Sequence, residues 1–350
     1  MVACFLFCCN SYILLMNIEN KEEINMNKKE ELMRVLSEVR KQMKYTVLSY
    51  PERDPHGFKW GDPGYNGNCT GKIPLGFIDK FKAKNVFEMY AGSGTLSDVC
   101  RDYGLHYCGV DLNPNPVRDN IVSMDLCDML QEFPVDIYDA DFIFQHPVYP
   151  GINRIKYAGS AWKDENKEYA AKDIQNLPFY EGMAKINLAT MRAYSAMQPG
   201  AYMAILVGEI RSNGKYYSMY QNLALPGELF QTYVKMQHNT WSGRNSYSSG
   251  PRAFTGHEMI AVIKKPSGYE IAYVIPHKYE MDIRDSKTAT WRDVVASVLR
   301  RIGKPATLQQ IYSEISGYKK CENNANWEAK IRQTLQTSFK HVDKGVWSIA

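Results

Sequence analysis

No apolar run in this sequence is long enough to cross a bilayer. The most apolar stretch, MVACFLFCCNSYILLM over residues 1–16, falls short of the roughly 20 residues that a spanning helix needs. It has neither an early Lys or Arg nor a small-residue cleavage site, so it does not read as a secretory signal. No membrane attachment is expected, and Met16 and Met26 are alternative starts. The eight cysteines, at 4, 8, 9, 69, 100, 108, 127 and 321, form no CxxC pair and no Cys/His cluster with zinc spacing. This argues against a structural metal, and scattered cysteines fit a reducing, cytoplasmic setting. No internal repeat is visible. The net charge of +4 is too small to mark a nucleic-acid binder by itself.

The charge is nevertheless uneven. Residues 287–350 carry 11 Lys/Arg and 5 Asp/Glu, a net of +6, whereas the rest carries 31 basic and 33 acidic residues, a net of −2. A basic tail on a near-neutral body points to an anionic partner at that end. A length of 350 residues predicts about two domains. Leu32, Val35, Leu36 and Val39 predict a helix within residues 17–45, and the Pro- and Gly-rich stretch 51–72 reads as irregular loop. Strands are predicted at Val86–Tyr90, Tyr107–Leu112, Asp141–Phe144, Tyr202–Val207 and Met259–Ile263. They alternate with helical stretches, which predicts an α/β fold with a mostly parallel sheet. After a linker over 266–290, three helical stripes begin at Val294, Leu308 and Trp327. Thr307 is a candidate cap for the second stripe, and a short hairpin follows around Lys344–Gly345.

The strongest local signal is VFEMYAGSGT, residues 86–95, in which an apolar strand runs through Gly92 and Gly94 into a helix. Glycines there allow a sharp turn and close approach to a ligand. Asp111 ends the next strand, 17 positions past Gly94, where a carboxylate can accept from a ribose diol. Asp125 follows the third apolar run, within reach of an adenine amino group. A dinucleotide fold is the competitor, but the GxGxxG pattern fails at Ser97.

FEMYAGSGT, with VDLN and MDLCD behind it, resembles the S-adenosylmethionine-binding half of the DNA amino-methyltransferases. The resemblance implies a Rossmann-like methyltransferase sheet and S-adenosylmethionine as cofactor. It places Glu88 near the methionine amino group and lines the cofactor site with Tyr90, Gly92, Gly94, Asp111 and Asp125. Met89 and Tyr90 stand where the family often has Pro and Phe. Upstream, GYNGNCTGKIP, residues 64–74, resembles the segment that closes over the methionine, and contributes Asn68.

A further apolar strand ends in Gln145-His146-Pro147-Val148-Tyr149. This resembles the Asp/Asn-Pro-Pro-Tyr catalytic motif, in a branch beginning with His. An exocyclic amine is a poor nucleophile because its lone pair is delocalised into the ring. Two acceptors at the amine favour the tetrahedral geometry needed for attack on a methyl sulfonium. The resemblance assigns these to a His146 ring nitrogen and the Pro147 carbonyl, with Tyr149 stacking on an extruded base. His146 offers an acceptor only when neutral, so an ordinary histidine pKa predicts an acid limit near pH 6.5. Val148 replaces the usual second proline. Segments 172–187, 202–219 and 257–265 resemble later parts of the same branch. The Pro-Cys dipeptide of cytosine-C5 enzymes is absent.

Residues 237–256 place Arg244 and Arg252 among aromatics, Gly and Ser, a composition that suits either phosphate contacts or a plain surface loop. The C-terminal segment resembles winged-helix modules of restriction and modification proteins. Its third helix offers Lys330, Arg332, Gln333 and Gln336 to base edges and phosphates, unless that face binds protein. The expected organisation is an N-terminal extension and helix (1–50), a methyltransferase domain (51–265), the linker (266–290) and a winged-helix DNA-binding domain (291–350). The expected activity is methylation of double-stranded DNA at an exocyclic amine, adenine N6 ahead of cytosine N4, with a cognate restriction endonuclease as a candidate partner. An RNA or small-molecule methyltransferase and a non-catalytic DNA-binding regulator are the alternatives.

Overall fold

The computed structural model describes residues 26–55, 57–62, 65, 67–151, 167–212, 214–238, 255–267, 273–274, 282–287, 289–322 and 324–349. The chain divides into two compact units, Met1–Pro276 and His277–Ala350. In the first, α1 (residues 26–42) leads to β1 (Val47–Leu48), α2 (Lys72–Phe81), β2 (Asn85–Met89), α3 (Thr95–Tyr103), β3 (His106–Asp111), β4 (Ile121–Ser123) and β5 (Phe142–Gln145). Then come α4 (Lys167–Lys172), α5 (Phe179–Ala196), β6 (Tyr202–Val207), β7 (Glu209–Ser212), β8 (Lys215–Ser218), β9 (Leu225–Pro226), β10 (Glu228–Met236), β11 (His257–Lys264) and β12 (Tyr273–Val274).

Eight strands form one sheet in the order β1-β10-β11-β6-β5-β2-β3-β4. The pairs among β2 to β6 are parallel, while β11 runs antiparallel between β6 and β10. The sheet is therefore built outward from β2, first through β3 and β4 on one side, then through β5 and β6 on the other. The carboxyl ends of β2 and β5 flank this reversal, where an open α/β sheet leaves a crevice for a ligand. This is the α/β class with a mostly parallel sheet expected from the alternating pattern, and the Rossmann-like form that the resemblance implied. β7 and β8 form a separate hairpin, and β9 pairs with β12.

The central strands are apolar on both faces because both faces are covered. Val86, Phe142, Phe144, Leu206 and Ile260 pack with Val35, Val39, Ile73 and Phe77 on the side of α1 and α2. Phe87, Ile143, Ile205 and Ile263 pack with Met183, Ile186 and Ala189 of α5 on the other. Each such fully buried side chain contributes about 1.5–3 kcal/mol. The sequence set residues 1–50 apart as an extension. Residues 26–50 are instead part of the unit: Val35 and Val39 are buried in its core, and β1 pairs with β10. Residues 1–25 lie outside the described part. No helix among the described residues is long and apolar enough to cross a membrane.

The second unit contains α6 (Trp291–Ile302), β13 (Ala306–Thr307), α7 (Leu308–Ile315), α8 (Lys319–Glu322), α9 (Trp327–Ser338), β14 (Lys340–Asp343) and β15 (Val346–Ser348). Its sheet order is β13-β15-β14. Thr307 caps α7 in a reciprocal box with Gln310. Val294, Val298, Ile311, Ile331 and Leu335 form its core. The hairpin between β14 and β15 turns at Gly345, whose φ of 73° suits glycine.

Candidate active site

A cavity of about 850 Å³ opens at the reversal point of the sheet. Its walls contain every predicted cofactor residue except Gly94, which caps the adjoining helix, together with His146, Pro147 and Tyr149. The sequence separates these groups by up to some eighty positions. Parallel pairing of β2 with β3 and with β5 brings their carboxyl ends side by side.

Glu88 is buried near the end of β2 and accepts the Tyr107 hydroxyl at 2.5 Å. The contact depends on Gly109, the cross-strand partner of Glu88, because a Cβ there would lie 2.3 Å from the Tyr107 oxygen. Burial holds the Glu88 carboxyl far above its usual range, despite the hydrogen bond from Tyr107. A cationic ligand group beside it would restore the charge.

Tyr90 takes a left-handed conformation at φ 61°, and its buried hydroxyl has no hydrogen-bond partner. A non-glycine residue held there is strained, as occurs at ligand sites. Gly92 and Gly94 follow at φ 47° and 75°, and Gly94 starts α3 without a side-chain cap.

Asp111 accepts the N–H groups of Gly92 at 2.8 Å and Asn113 at 2.9 Å. Burial raises its pKa, and these two hydrogen bonds oppose the rise. Asp125 lines the same cavity and accepts Cys127 N–H at 2.9 Å. The amide of Asn68 donates to the Asp62 and Tyr65 carbonyls, both at 2.8 Å, so its side chain shapes the loop over the cavity.

At the end of β5, Gln145 turns into the core and donates to Thr190 at 3.0 Å, while His146 faces the cavity. The His146 and Tyr149 ring centroids are 6.1 Å apart. Tyr149 fits against the chain only because residue 208 is glycine: a Cβ there would lie 2.4 Å from its hydroxyl. Burial pushes the His146 pKa down to about 4, with Glu258 opposing and Lys235 reinforcing the shift. The expected acid limit near pH 6.5 is therefore corrected to a lower pH, because an ordinary histidine value ignores this desolvation.

The sequence reading missed Glu258 and Lys235. They are direct cross-strand partners on β11 and β10, Glu258 buried and Lys235 half-buried, and form an ion pair. Glu258 accepts the Tyr149 hydroxyl at 2.5 Å and lies 3.8 Å from His146 Nε2. Burial would raise Glu258, but Lys235, His146 and the hydrogen bonds bring it down to about 2. The available signal was a charge of each sign on the inward face of neighbouring strands, in line with Tyr233 and Ile260.

Asp98 was also missed. It is buried in α3 and accepts Gly61 N–H at 2.9 Å and two Arg118 nitrogens at 2.9 and 2.8 Å. It thereby fastens the segment before α2 to the glycine turn.

In the second unit, Lys330, Arg332, Gln333 and Gln336 are exposed on α9, while Ile331 and Leu335 face the core. Arg244 and Arg252 lie outside the described residues.

No family model matches the sequence, and no curated protein matches it. Solved structures with partial similarity include TrmN from Thermus thermophilus, at 15% identity over 57% of this chain and 50% of that chain, TM-score 0.34. The chain thus spans half the length of TrmN. Others are the N-methyltransferase NodS from Bradyrhizobium japonicum WM9, at 9% identity over 54% and 89%, TM-score 0.30, and a SAM-dependent methyltransferase from Archaeoglobus fulgidus, at 11% identity over 56% and 95%, TM-score 0.29.

Proposed function

We propose that this chain is an S-adenosylmethionine-dependent methyltransferase acting on an exocyclic amine in double-stranded DNA, adenine N6 ahead of cytosine N4. The observation that carries the reading is one cavity lined both by the carboxyl groups of Glu88, Asp111 and Asp125 and by the His146–Tyr149 loop.

The carboxyl groups fit the cofactor. Asp111 has an acceptor edge for sugar hydroxyls, Glu88 is a carboxyl that a ligand ammonium would ionise, and Tyr90 has an unpartnered hydroxyl. Gly92 lets the backbone come close. When bound, S-adenosylmethionine supplies a methyl group on a positively charged sulfur.

The protein's part is to orient the amine and hold its hydrogens. Neutral His146 offers one ring nitrogen as acceptor, and the Pro147 carbonyl offers a second. Together they favour the tetrahedral nitrogen whose lone pair can attack directly. A duplex base would have to leave its stack to bring its amine to His146 and Pro147. The exposed polar face of α9 in the basic second unit suits duplex binding, in the manner expected of a winged helix.

The test is transfer of labelled methyl from S-adenosylmethionine to a duplex DNA library, with RNA and small amines in parallel, followed by nucleoside chromatography. N6-methyladenine is expected. N4-methylcytosine would change the target base, and labelling of RNA alone would replace DNA as substrate. Cofactor binding with no transfer to any acceptor would leave a non-catalytic regulator.

A further inference from the structure

The ion pair behind the catalytic loop is expensive as a stabilising device. Burying two charges costs several kcal/mol per ion before their attraction is counted, and an apolar pair often serves as well. The neighbouring inward positions on these strands, Tyr233 and Ile260, are apolar. Lys235 and Glu258 lie at the cavity end of the strands, where Glu258 touches the loop carrying His146 and Tyr149.

We propose that Glu258 is a positioning residue for this loop: its carboxylate holds the Tyr149 hydroxyl and biases His146 toward the tautomer protonated at Nε2. Nδ1 is then the lone-pair nitrogen available to the target amine. Lys235 keeps the carboxylate ionised in a site that would otherwise neutralise it. The proposal rests on the methyltransferase reading for the role of Nδ1, but not for the tautomer itself.

Geometry sets the bias. Both the Tyr149 oxygen and His146 Nε2 approach the same carboxylate oxygen, Oε1, while Lys235 occupies Oε2. A negative oxygen 3.8 Å from Nε2 favours N–H over a lone pair on that nitrogen. The titratable and charged groups facing the pair are Lys235 of β10, His146 and Tyr149 of the loop, and Cys69 and Arg53 of the segment before α2.

The experiment uses the full chain with ¹⁵N-labelled histidine. His146 is assigned by the signal lost in His146→Asn, and its tautomer is read from the two ring-nitrogen shifts near pH 7. The wild type is expected to be protonated at Nε2. Glu258→Gln, or Lys235→Met/Glu258→Gln if the single change leaves Lys235 stranded and unfolds the protein, is expected to give a tautomer mixture. The same variants should slow single-turnover methyl transfer roughly 10- to 100-fold, as loss of a histidine's outer partner does elsewhere, with cofactor affinity unchanged. Glu258→Asp should restore part of both. A wild-type His146 protonated at Nδ1, or tautomer populations unchanged in the double variant, overturns the role of Glu258 even if methylation proceeds. If the wild type methylates nothing, the proposed activity falls, and the tautomer measurement still decides the positioning role.

Discussion

Asp111 accepts the Gly92 N–H at 2.8 Å, tying the end of β3 to the turn that follows β2. A residue expected to serve a ligand thus also holds the glycine turn in shape. Asp111→Ala should weaken S-adenosylmethionine binding by about 10- to 100-fold, from the roughly 1.5–3 kcal/mol carried by hydrogen bonds to a charged group. Isothermal calorimetry checks this, and an unchanged affinity would remove Asp111 from the cofactor site.

His146→Ala should slow the chemical step about 100-fold or more, if one positioned acceptor is worth 3–4 kcal/mol in the transition state. His146→Asn should keep partial activity through its amide oxygen. With the folded pKa near 4, transfer by the wild type should persist well below pH 6.5 and fail as His146 protonates near pH 4. Single-turnover rates across pH, at saturating cofactor and DNA, decide between these limits.

The same shift makes a stability prediction of definite sign. Below pH 6.5 the unfolded chain takes a proton on this histidine that the folded chain refuses until about pH 4. His146 therefore makes stability fall as pH drops through that window. Glu258, with a folded value near 2, adds its own loss only once pH falls below its ordinary 4.5. Urea denaturation between pH 6.5 and 4.5 should show a shallower decline in His146→Asn than in wild type.

Asp98→Ala should destabilise the first unit by about 2–3 kcal/mol, below the full cost of breaking a buried pair because Arg118 reaches solvent. A lower urea midpoint with unchanged slope is the expected result. Burial alone would raise Asp98, but Arg118, Gly61 and Arg101 bring it below the usual range. Its contribution should accordingly persist above pH 3.8 and disappear in stronger acid.

Lys330→Ala/Arg332→Ala should lower the slope of log binding constant against log salt by about 1.8, if both side chains meet phosphates. Gln333→Ala/Gln336→Ala should alter sequence preference more than slope. Removing residues 287–350 should weaken DNA binding while leaving cofactor affinity intact. Filter binding over a salt series checks all three. An unchanged slope after removal would assign the second unit to a protein partner.

The half around the glycine turn was legible because its strands are apolar on both faces and its candidate ligand groups stand at strand ends. Phe87 and Phe142 fall on opposite faces of one sheet, so the runs containing them read as uninterrupted strands. β10 escaped because the ELFQTYVKM segment has exposed residues at most positions and resembles a surface stretch. The β7–β8 hairpin was not among the expected strands, since each of its strands has only four residues. Lys235 and Glu258 were hidden for a related reason. A single charge in a strand ordinarily reads as a solvent-facing position, and only the register of β10 against β11 reveals that the two meet inside. The shift at His146 comes first from burial by the folded chain, and its charged neighbours stand 89 and 112 positions away, so no local pattern contains it.

The place of β11 in the sheet also sets an order of assembly. β11 lies between β6 and β10, although it follows both in the chain. A nascent chain that has produced the cofactor half and β10 still has an unpaired edge on β6, and β10 has no neighbour on that side. Until residues 257–264 arrive, the apolar edge of β6 is open to pairing with another chain. The strand that closes this edge also brings Glu258 to the Tyr149 hydroxyl. The last long strand described in the unit thus completes the sheet and fastens the His146–Tyr149 loop in one step, so a chain interrupted before it would have a formed glycine turn, an open sheet edge and an unsupported loop.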